Sequence, residues 1–161
     1  MKRLVHIIIL CAVLLPVAGS ILSCSEEADC SEAARAMLNC KLYTISAETN
    51  MVDKDTLDSL TITAFGTDSV IVNNQKEVKD LTLPLRYTED STVLVFRYSA
   101  EQTDTIIFRH TNTPYFLSMD CGYQMKQSLT GCSYTRHVLD SIYISTPEAS
   151  IYGTENVKLF Y

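Results

Sequence analysis

The chain offers few residues that could perform catalysis. A Ser or Cys nucleophile needs an activating base, and after residue 23 the histidines are His110 in "FRHTN" and His137 in "TRHVLD". Both lie at the edges of strand-like runs, where a surface or hydrogen-bonded structural histidine is the usual case. The sequence contains no G-x-S-x-G, H-E-x-x-H or glycine-rich phosphate loop. We therefore predict no catalytic residues and no enzyme activity.

An acidic segment is the strongest metal candidate in the sequence. In "DKDTLD", Asp53, Asp55 and Asp58 share one predicted loop, and calcium prefers hard oxygen ligands. The segment lacks the glycine and the distal glutamate of an EF-hand, and acidic loops between strands are commonly just solvated. These three residues are weak calcium candidates, and we predict no metal and no non-covalent cofactor.

The first residues predict export and lipidation. A basic pair in "MKR" precedes the apolar run "LVHIIILCAVLLPVAG", and "ILSC" ends at Cys24. This order is typical of a signal peptide, and "ILSC" resembles the lipobox of bacterial lipoproteins, whose cysteine carries a diacylglycerol. An uncleaved membrane anchor is the alternative, but the following "SEEAD" provides no basic stop-transfer flank. We predict a signal peptide over 1–23 and a covalent lipid on Cys24.

An acidic run after the lipidated cysteine predicts the final location. It resembles the signal that carries Bacteroidota-type lipoproteins to the outer face of the outer membrane, although such a charge run can also be a plain soluble tether. We expect residues 24–39 to form this tether, with a short helix in "SEAARAML". The export signal would comprise Ser25, Glu26, Glu27 and Asp29.

The remaining cysteines predict two disulfides. Exported proteins commonly oxidise an even set of cysteines, and four of them allow three connectivities. Pairing Cys30 with Cys121 and Cys40 with Cys132 would clamp the tether to the domain. The local pairing of Cys30 with Cys40 and of Cys121 with Cys132 stays open. The gaps of ten and eleven residues do not fit the short spacings of a zinc site.

A recurring phrase shows how the polypeptide is organised. An Asp and a hydroxyl residue precede a strand-like run in "LDSLTIT", "TDSVIVN", "EDSTVLVFR", "TDTIIFR" and "LDSIYIS". Asp and Ser favour turns, whereas Val, Ile, Tyr and Phe favour strands. The copies are unevenly spaced, which excludes a solenoid or propeller. Together with "CKLYTISA", "KDLTLPL", "PYFLSMD" and "NVKLFY", they predict about eight or nine short strands.

These elements predict one all-β domain over residues 40–161. We expect a single antiparallel β-sandwich, immunoglobulin-like or transthyretin-like. The chain has 13 Lys and Arg against 19 Asp and Glu, with a net charge of −6 and no basic stripe. This charge makes nucleic acid an unfavourable partner.

The order of these motifs resembles a family of short Bacteroidota-type surface lipoproteins catalogued as a domain of unknown function. The likeness rests on the lipobox cysteine, "LDSLTITAFGTDSVIVNN", "TDTIIFRHTNTPYF", "MDCGY", "TRHVLDSIYI" and "ENVKLFY". It implies no activity. It does imply that Cys30 and Cys121 occupy positions where the family often carries cysteines, with Cys40 and Cys132 as an additional pair.

Two functions follow as expectations. The first is a non-catalytic accessory or structural subunit of an envelope complex, anchored in the outer membrane by its lipid and facing the cell exterior. Its partner would be an outer-membrane β-barrel or a surface protein complex. The second is a free-standing surface module, an adhesin or glycan binder, with or without calcium. We favour the first because the sequence shows no cluster of aromatic residues that would form a ligand platform.

Overall fold

The computed structural model describes residues 35–67, 69–119 and 121–161. The predicted signal peptide, Cys24, the export signal and Cys30 lie outside these residues. Within the described ranges there is no helix, and hence none long and apolar enough to cross a membrane. Ten strands account for the regular structure: β1 (Leu38–Ile45), β2 (Val52–Lys54), β3 (Leu57–Ala64), β4 (Val70–Val78), β5 (Asp80–Leu83), β6 (Ser91–Arg97), β7 (Thr103–Ser118), β8 (Gly122–Tyr134), β9 (Ser141–Ile144) and β10 (Glu155–Phe160).

The first sheet has β1 at its centre. On one side β1 pairs in parallel with β10, which continues to β9 in antiparallel orientation. On the other side β5 pairs with the first half of β1 and β2 with the second half. The wholly antiparallel arrangement that we predicted is therefore wrong at one ladder. β1 and β10 are far apart in sequence, so the chain can return in the same direction without a tight hairpin.

The second sheet has the order β4-β3-β6-β7-β8 and is antiparallel throughout. Its outer strand β4 is irregular. Asn74 and Glu77 have positive φ angles of 43° and 50°, and the β3–β4 register shifts nearby. Such irregularities, with exposed polar side chains, blunt an edge against unwanted pairing.

Both sheets contribute to one hydrophobic cluster. Alternate residues of β1, β3, β6 and β7 are buried, as expected for strands with one face on a core. Phe96 and Phe108 are the largest fully buried side chains, and Leu42 and Leu159 join them from the first sheet. Each such side chain contributes about 1.5–3 kcal/mol relative to an exposed position. The chain is thus all-β with two sheets over a shared core.

Several strand predictions are confirmed and others are wrong. The phrases beginning at residues 57, 89, 103 and 139 match β3, β6, β7 and β9. The run "PYFLSMD" is not a separate strand, because β7 continues unbroken to Ser118. The prediction missed β2 and also β8, whose "GYQMKQSLTGCSY" is too polar to show alternation. The predicted helix is wrong over Arg35–Leu38, since buried Leu38 already opens β1.

One Asp of the recurring phrase is a buried anchor. Asp104 is 0% exposed, and its carboxylate accepts hydrogen bonds from the backbone N–H groups of His137, Val138 and Leu139 at 2.8, 2.9 and 2.9 Å. The hydroxyl of Thr135 donates a fourth at 2.7 Å. Burial raises the pKa of this carboxyl, but the four hydrogen bonds outweigh burial and leave the pKa below 3.8. This copy of the phrase is therefore structural, and it fixes the loop before β9.

Candidate functional site

Strands β7 and β8 extend beyond the rest of their sheet. β6 pairs with β7 only as far as Arg109, whereas β7 and β8 stay paired to the turn near residue 120. We call the protruding pair, Thr111–Ser118 with Gly122–Ser128, the ribbon. The ribbon and its connecting turn carry large apolar side chains that are 45–89% exposed: Tyr115, Phe116, Leu117 and Tyr123 in the ribbon and Met119 in the turn. The rings of Phe116 and Tyr123 pack edge to face with centroids 5.6 Å apart.

The ribbon accommodates a proline without losing a hydrogen bond. The N–H of Leu129 and the C=O of Gln127 point away from β7, because both bond a neighbouring segment. Along an antiparallel strand the backbone N–H and C=O groups point to the same side at every second residue. The backbone N–H and C=O of Met125 therefore also point away from β7. Met125 lies opposite Pro114, which makes this a pair without ladder hydrogen bonds. The missing N–H of Pro114 is therefore not needed by β8.

The neighbouring segment, Thr146–Ser150, runs along the outer edge of β8, and we call it the strap. Leu129 donates its N–H to Pro147 O at 2.8 Å, and Ala149 donates to Gln127 O at 3.0 Å. At the end of the strap, Ser150 and Met37 exchange backbone hydrogen bonds. The strap therefore connects the edge of β8 with the residues just before β1.

A buried amide holds the strap in place. Asn156 is 0% exposed, and its Nδ2 donates to Thr146 O at 3.0 Å and to Glu148 O at 2.6 Å. Its Oδ1 accepts the N–H of Asn39 at 2.9 Å. Both polar atoms of the side chain are hydrogen-bonded within the fold, so the strap has a defined position. Outside, Lys126 Nζ and Glu148 Oε1 form an ion pair at 2.8 Å.

A groove of about 560 Å³ lies between the ribbon and the segment from the strap to Thr154. Tyr115 and Leu117 line it from β7, and Met125 from β8. Ile151 and Tyr152 line it from the other side and are 49% and 87% exposed. Its charged lining residues, Lys126 and Glu148, are the two that pair with each other. The groove is thus predominantly apolar and electrically balanced.

A buried polar network fixes the base of the ribbon. Gln127 is 0% exposed, and its Nε2 donates to Asn112 Oδ1 at 2.8 Å and to Arg86 O at 2.9 Å. Asn112 Nδ2 in turn donates to the carbonyls of Arg86, Tyr87 and Glu89. Two side chains of the ribbon therefore hold the loop between β5 and β6. Gln127 Oε1 is buried without a hydrogen-bond partner in the described part of the chain.

The network also sets the protonation of His110, which is 1% exposed. Asn112 Oδ1 can only accept, so His110 Nδ1, 3.1 Å away, carries a hydrogen and donates it. Thr92 Oγ1 accepts the N–H of Arg86 at 2.9 Å and lies 2.9 Å from His110 Nε2, to which it can donate. Every contact is satisfied by a neutral imidazole. Burial disfavours the charged imidazolium and lowers the pKa of His110 below 6.5, although the hydrogen bond to Asn112 acts in the opposite direction.

The two histidines that could have served as bases lie in separate structural networks. His137 is exposed, and its Nδ1 donates to Thr103 O at 2.8 Å, with Asp104 Oδ1 3.3 Å away. His110 has both ring nitrogens occupied by Thr92 and Asn112. Within the described residues, neither imidazole is hydrogen-bonded to a Ser or Cys side chain.

The predicted Cys40–Cys132 disulfide is wrong. Both residues are free thiols, Cys40 buried and Cys132 half-buried. Cys40 lies opposite Leu81 in the first sheet and Cys132 opposite Phe108 in the second, so they belong to different layers. Their free state also excludes the local pairings. Cys121 is disulfide-bonded, and the Cys30–Cys121 pairing stays a prediction because Cys30 lies outside the described residues.

The three calcium candidates do not converge. Asp53 lies in β2, Asp58 in β3 and Asp55 between them. Asp55 Oδ1 accepts the N–H of Thr56 at 2.7 Å, as in an ordinary turn. Among residues 35–67, 69–119 and 121–161, no three His, Cys, Asp or Glu residues form a group that could hold a metal ion. The prediction placed all three in one loop, whereas Asp53 and Asp58 belong to the strands β2 and β3.

The sequence prediction missed the groove, although one signal was present. A strand with one face on a core needs apolar residues only at alternate positions, yet Tyr115, Phe116 and Leu117 are consecutive. They put apolar side chains on both faces of β7. Tyr152 has no such signal, because it lies in an irregular loop whose position depends on Asn156.

Two sheets over one core and an exposed apolar groove define the chain as an all-β protein with an uncovered apolar surface among its described residues. A model of a family of unknown function (DUF6452) matches residues 59–161, and the chain belongs to this family. The match begins within β3 and includes the ribbon and the strap. The expected membership of a family of unknown function is confirmed. Comparisons with curated proteins and with solved structures find no match.

Proposed function

We propose that the protein is a non-catalytic accessory subunit of a cell-envelope complex and that the ribbon and groove bind its protein partner. The exposed apolar surface of the ribbon carries this proposal. Large contiguous apolar patches on a folded domain commonly mark interaction sites, whereas isolated exposed apolar residues are unremarkable. Here Phe116 and Tyr123 form an exposed aromatic pair on one face of the ribbon, and Tyr115 and Leu117 line the groove from the other face.

The fixed position of the ribbon supports binding without large rearrangement. Asn112 and Gln127 hold its base through hydrogen bonds to the loop between β5 and β6. Such preorganisation reduces the entropy lost on association. Phe116 is 52% exposed, so burying the rest of its side chain against a partner would contribute about half of the 1.5–3 kcal/mol gained by a fully exposed one. An aromatic pair of this kind is suited to be the centre of an interface.

The proposed location comes from the sequence. The basic start, the apolar run and "ILSC" support a signal peptide over 1–23 and a lipid on Cys24. The acidic run that follows supports display on the outer face of the outer membrane. An outer-membrane β-barrel or surface complex would then be within reach of the domain. For the fold, an immunoglobulin-like or transthyretin-like sandwich is our proposal, supported by the shared core of the two sheets.

A second candidate is a free-standing glycan-binding module. Tyr115 and Tyr152 both line the groove, and tyrosine rings can pack against the apolar faces of sugars. The lining also carries Gln124, Thr146, Ser150 and Thr154, whose side chains could bond sugar hydroxyls. We favour a protein partner because large exposed apolar side chains lie on both faces of the ribbon.

Site-specific photo-cross-linking tests the proposal in cells that produce the protein. A photoreactive amino acid replaces Tyr152, which is 87% exposed beside the groove. The control places it at Tyr143, which is 60% exposed on β9. We expect one predominant cross-linked envelope protein from position 152 and not from 143. Equal or diffuse cross-linking from both positions would contradict a binding site at the groove.

A further inference from the structure

The outer edge of β8 is only partly paired within the described chain. The strap covers it at Gln127 and Leu129 and then leaves to pair with Met37. Beyond that point, Met125 and Tyr123 keep the same outward direction, since the β7–β8 register is regular from residue 123 to 129. Their N–H and C=O groups have no backbone partner on this side in the described residues. An edge of this kind is a template for another strand.

We propose that the groove binds an extended segment of another protein, which adds to β8 as a strand alongside Met125 and Tyr123. This inference rests on the proposed function and specifies its partner. The chain itself provides the precedent, because the strap is an extended segment bound to the same edge two residues further on, antiparallel to β8. The incoming strand would continue along the edge where the strap departs.

The lining of the groove specifies the chemistry of that segment. Tyr115 and Leu117 line one side, and Ile151 and Tyr152 the other. Side chains of an added strand alternate in direction, so apolar residues at every second position would contact these walls. Lys126 and Glu148 neutralise each other at 2.8 Å, which leaves no unpaired charge in the lining to attract a charged residue. The segment is therefore extended, uncharged and apolar at alternate positions.

A backbone substitution separates strand addition from simple apolar contact. Met125→Pro removes an N–H that points away from β7, so the β7–β8 ladder stays intact, while the new ring obstructs the edge. Met125→Leu is the matched control, because it keeps both the N–H and an apolar side chain. The probe is a fluorescein-labelled ten-residue peptide of alternating Val and Thr, measured by fluorescence anisotropy. We expect Met125→Pro to weaken its binding about tenfold or more, and Met125→Leu to leave it nearly unchanged.

Hydrogen exchange of the unsubstituted protein gives an independent readout that does not depend on the folding of a variant. The bound peptide should slow exchange at the Tyr123 and Met125 amides. No binding, no slowing at these amides, or equal binding by Met125→Pro would overturn strand addition. Exchange at these amides could instead slow when only the protein concentration is raised, with no peptide present. That result would overturn a different protein as the partner and would indicate pairing with a second copy of this chain. The cross-link from position 152 tells failure of this inference from failure of the proposed function. A specific cross-linked partner, without slowed exchange at Tyr123 and Met125, would refute strand addition but leave the binding site at the groove intact.

Discussion

Gln127 Nε2 donates to Asn112 Oδ1 at 2.8 Å and thereby joins β8 to β7 at the base of the ribbon. This bond fixes both amides, since Asn112 must then present Nδ2 to the carbonyls of Arg86, Tyr87 and Glu89. The ribbon and the loop between β5 and β6 are therefore one hydrogen-bonded unit. The apolar groove is built on this support.

Replacing the amide of Asn112 should weaken the unit. In Asn112→Asp, a carboxylate replaces the amide that donates to three carbonyls. The carboxylate oxygen can only accept, so it would face these carbonyl oxygens without a hydrogen between them. We expect a loss of about 2–3 kcal/mol in the free energy of unfolding, measured by urea denaturation. The control is Asn73→Asp on exposed β4, expected to change stability by no more than about 0.5 kcal/mol. Equal effects of the two changes would contradict the network.

Asp104 should be far more important than the other aspartates of the recurring phrase. Asp104→Asn replaces a buried carboxylate that accepts four hydrogen bonds, and we expect a loss of about 3 kcal/mol. Asp58→Asn and Asp140→Asn alter exposed copies and should each cost no more than about 0.5 kcal/mol. Thermal and urea unfolding measure all three. A small effect at Asp104 would refute its role as the anchor of the loop.

Stability should also depend on the neutral state of His110. The pKa of His110 in the folded protein is below the ordinary value of 6.5. Below pH 6.5 the histidine of the unfolded chain therefore binds a proton more readily than that of the folded chain. The stabilisation is complete above pH 6.5 and decreases as the pH falls towards the folded pKa, by at most about 1.4 kcal/mol per pH unit.

Urea titrations between pH 8 and 5 measure this dependence. His110→Gln should flatten the curve between pH 6.5 and 5, because no proton is then taken up at this position. The control Asn73→Gln changes an exposed residue that binds no proton and should leave the slope unchanged. An unaltered slope in His110→Gln would show that another group is responsible.

The two free thiols should differ in accessibility. Burial raises the pKa of both Cys40 and Cys132, but Cys40 is fully buried whereas Cys132 is half-buried. Maleimide labelling of the native protein, followed by peptide mapping, should modify Cys132 before Cys40. Both should react once the protein is unfolded in urea without reductant. A Cys40–Cys132 cross-link in that map would contradict the structure.

The sequence predicted the core strands but neither the groove nor the topology at β1. Alternating runs such as "STVLVFR" identify β6 because local side-chain pattern and burial agree. The parallel β1–β10 ladder depends on contacts more than a hundred residues apart, which no local pattern contains. β8 was missed because its interior positions include the polar Gln127, which is buried only through its hydrogen bonds. The groove likewise depends on Asn156, an ordinary residue in the sequence.

Capture of the envelope partner tests the central claim most directly. The tagged protein and two double variants are recovered from native membranes in mild detergent, and the partner identified by the Tyr152 cross-link is quantified by mass spectrometry. Phe116→Ser with Tyr123→Ser removes the apolar pair of the ribbon, whereas Phe65→Ser with Tyr143→Ser removes the same residue types at exposed positions elsewhere. We predict that the ribbon variant loses the partner while remaining folded, and that the control retains it. Retention by the ribbon variant would contradict the assignment of the ribbon as the binding site.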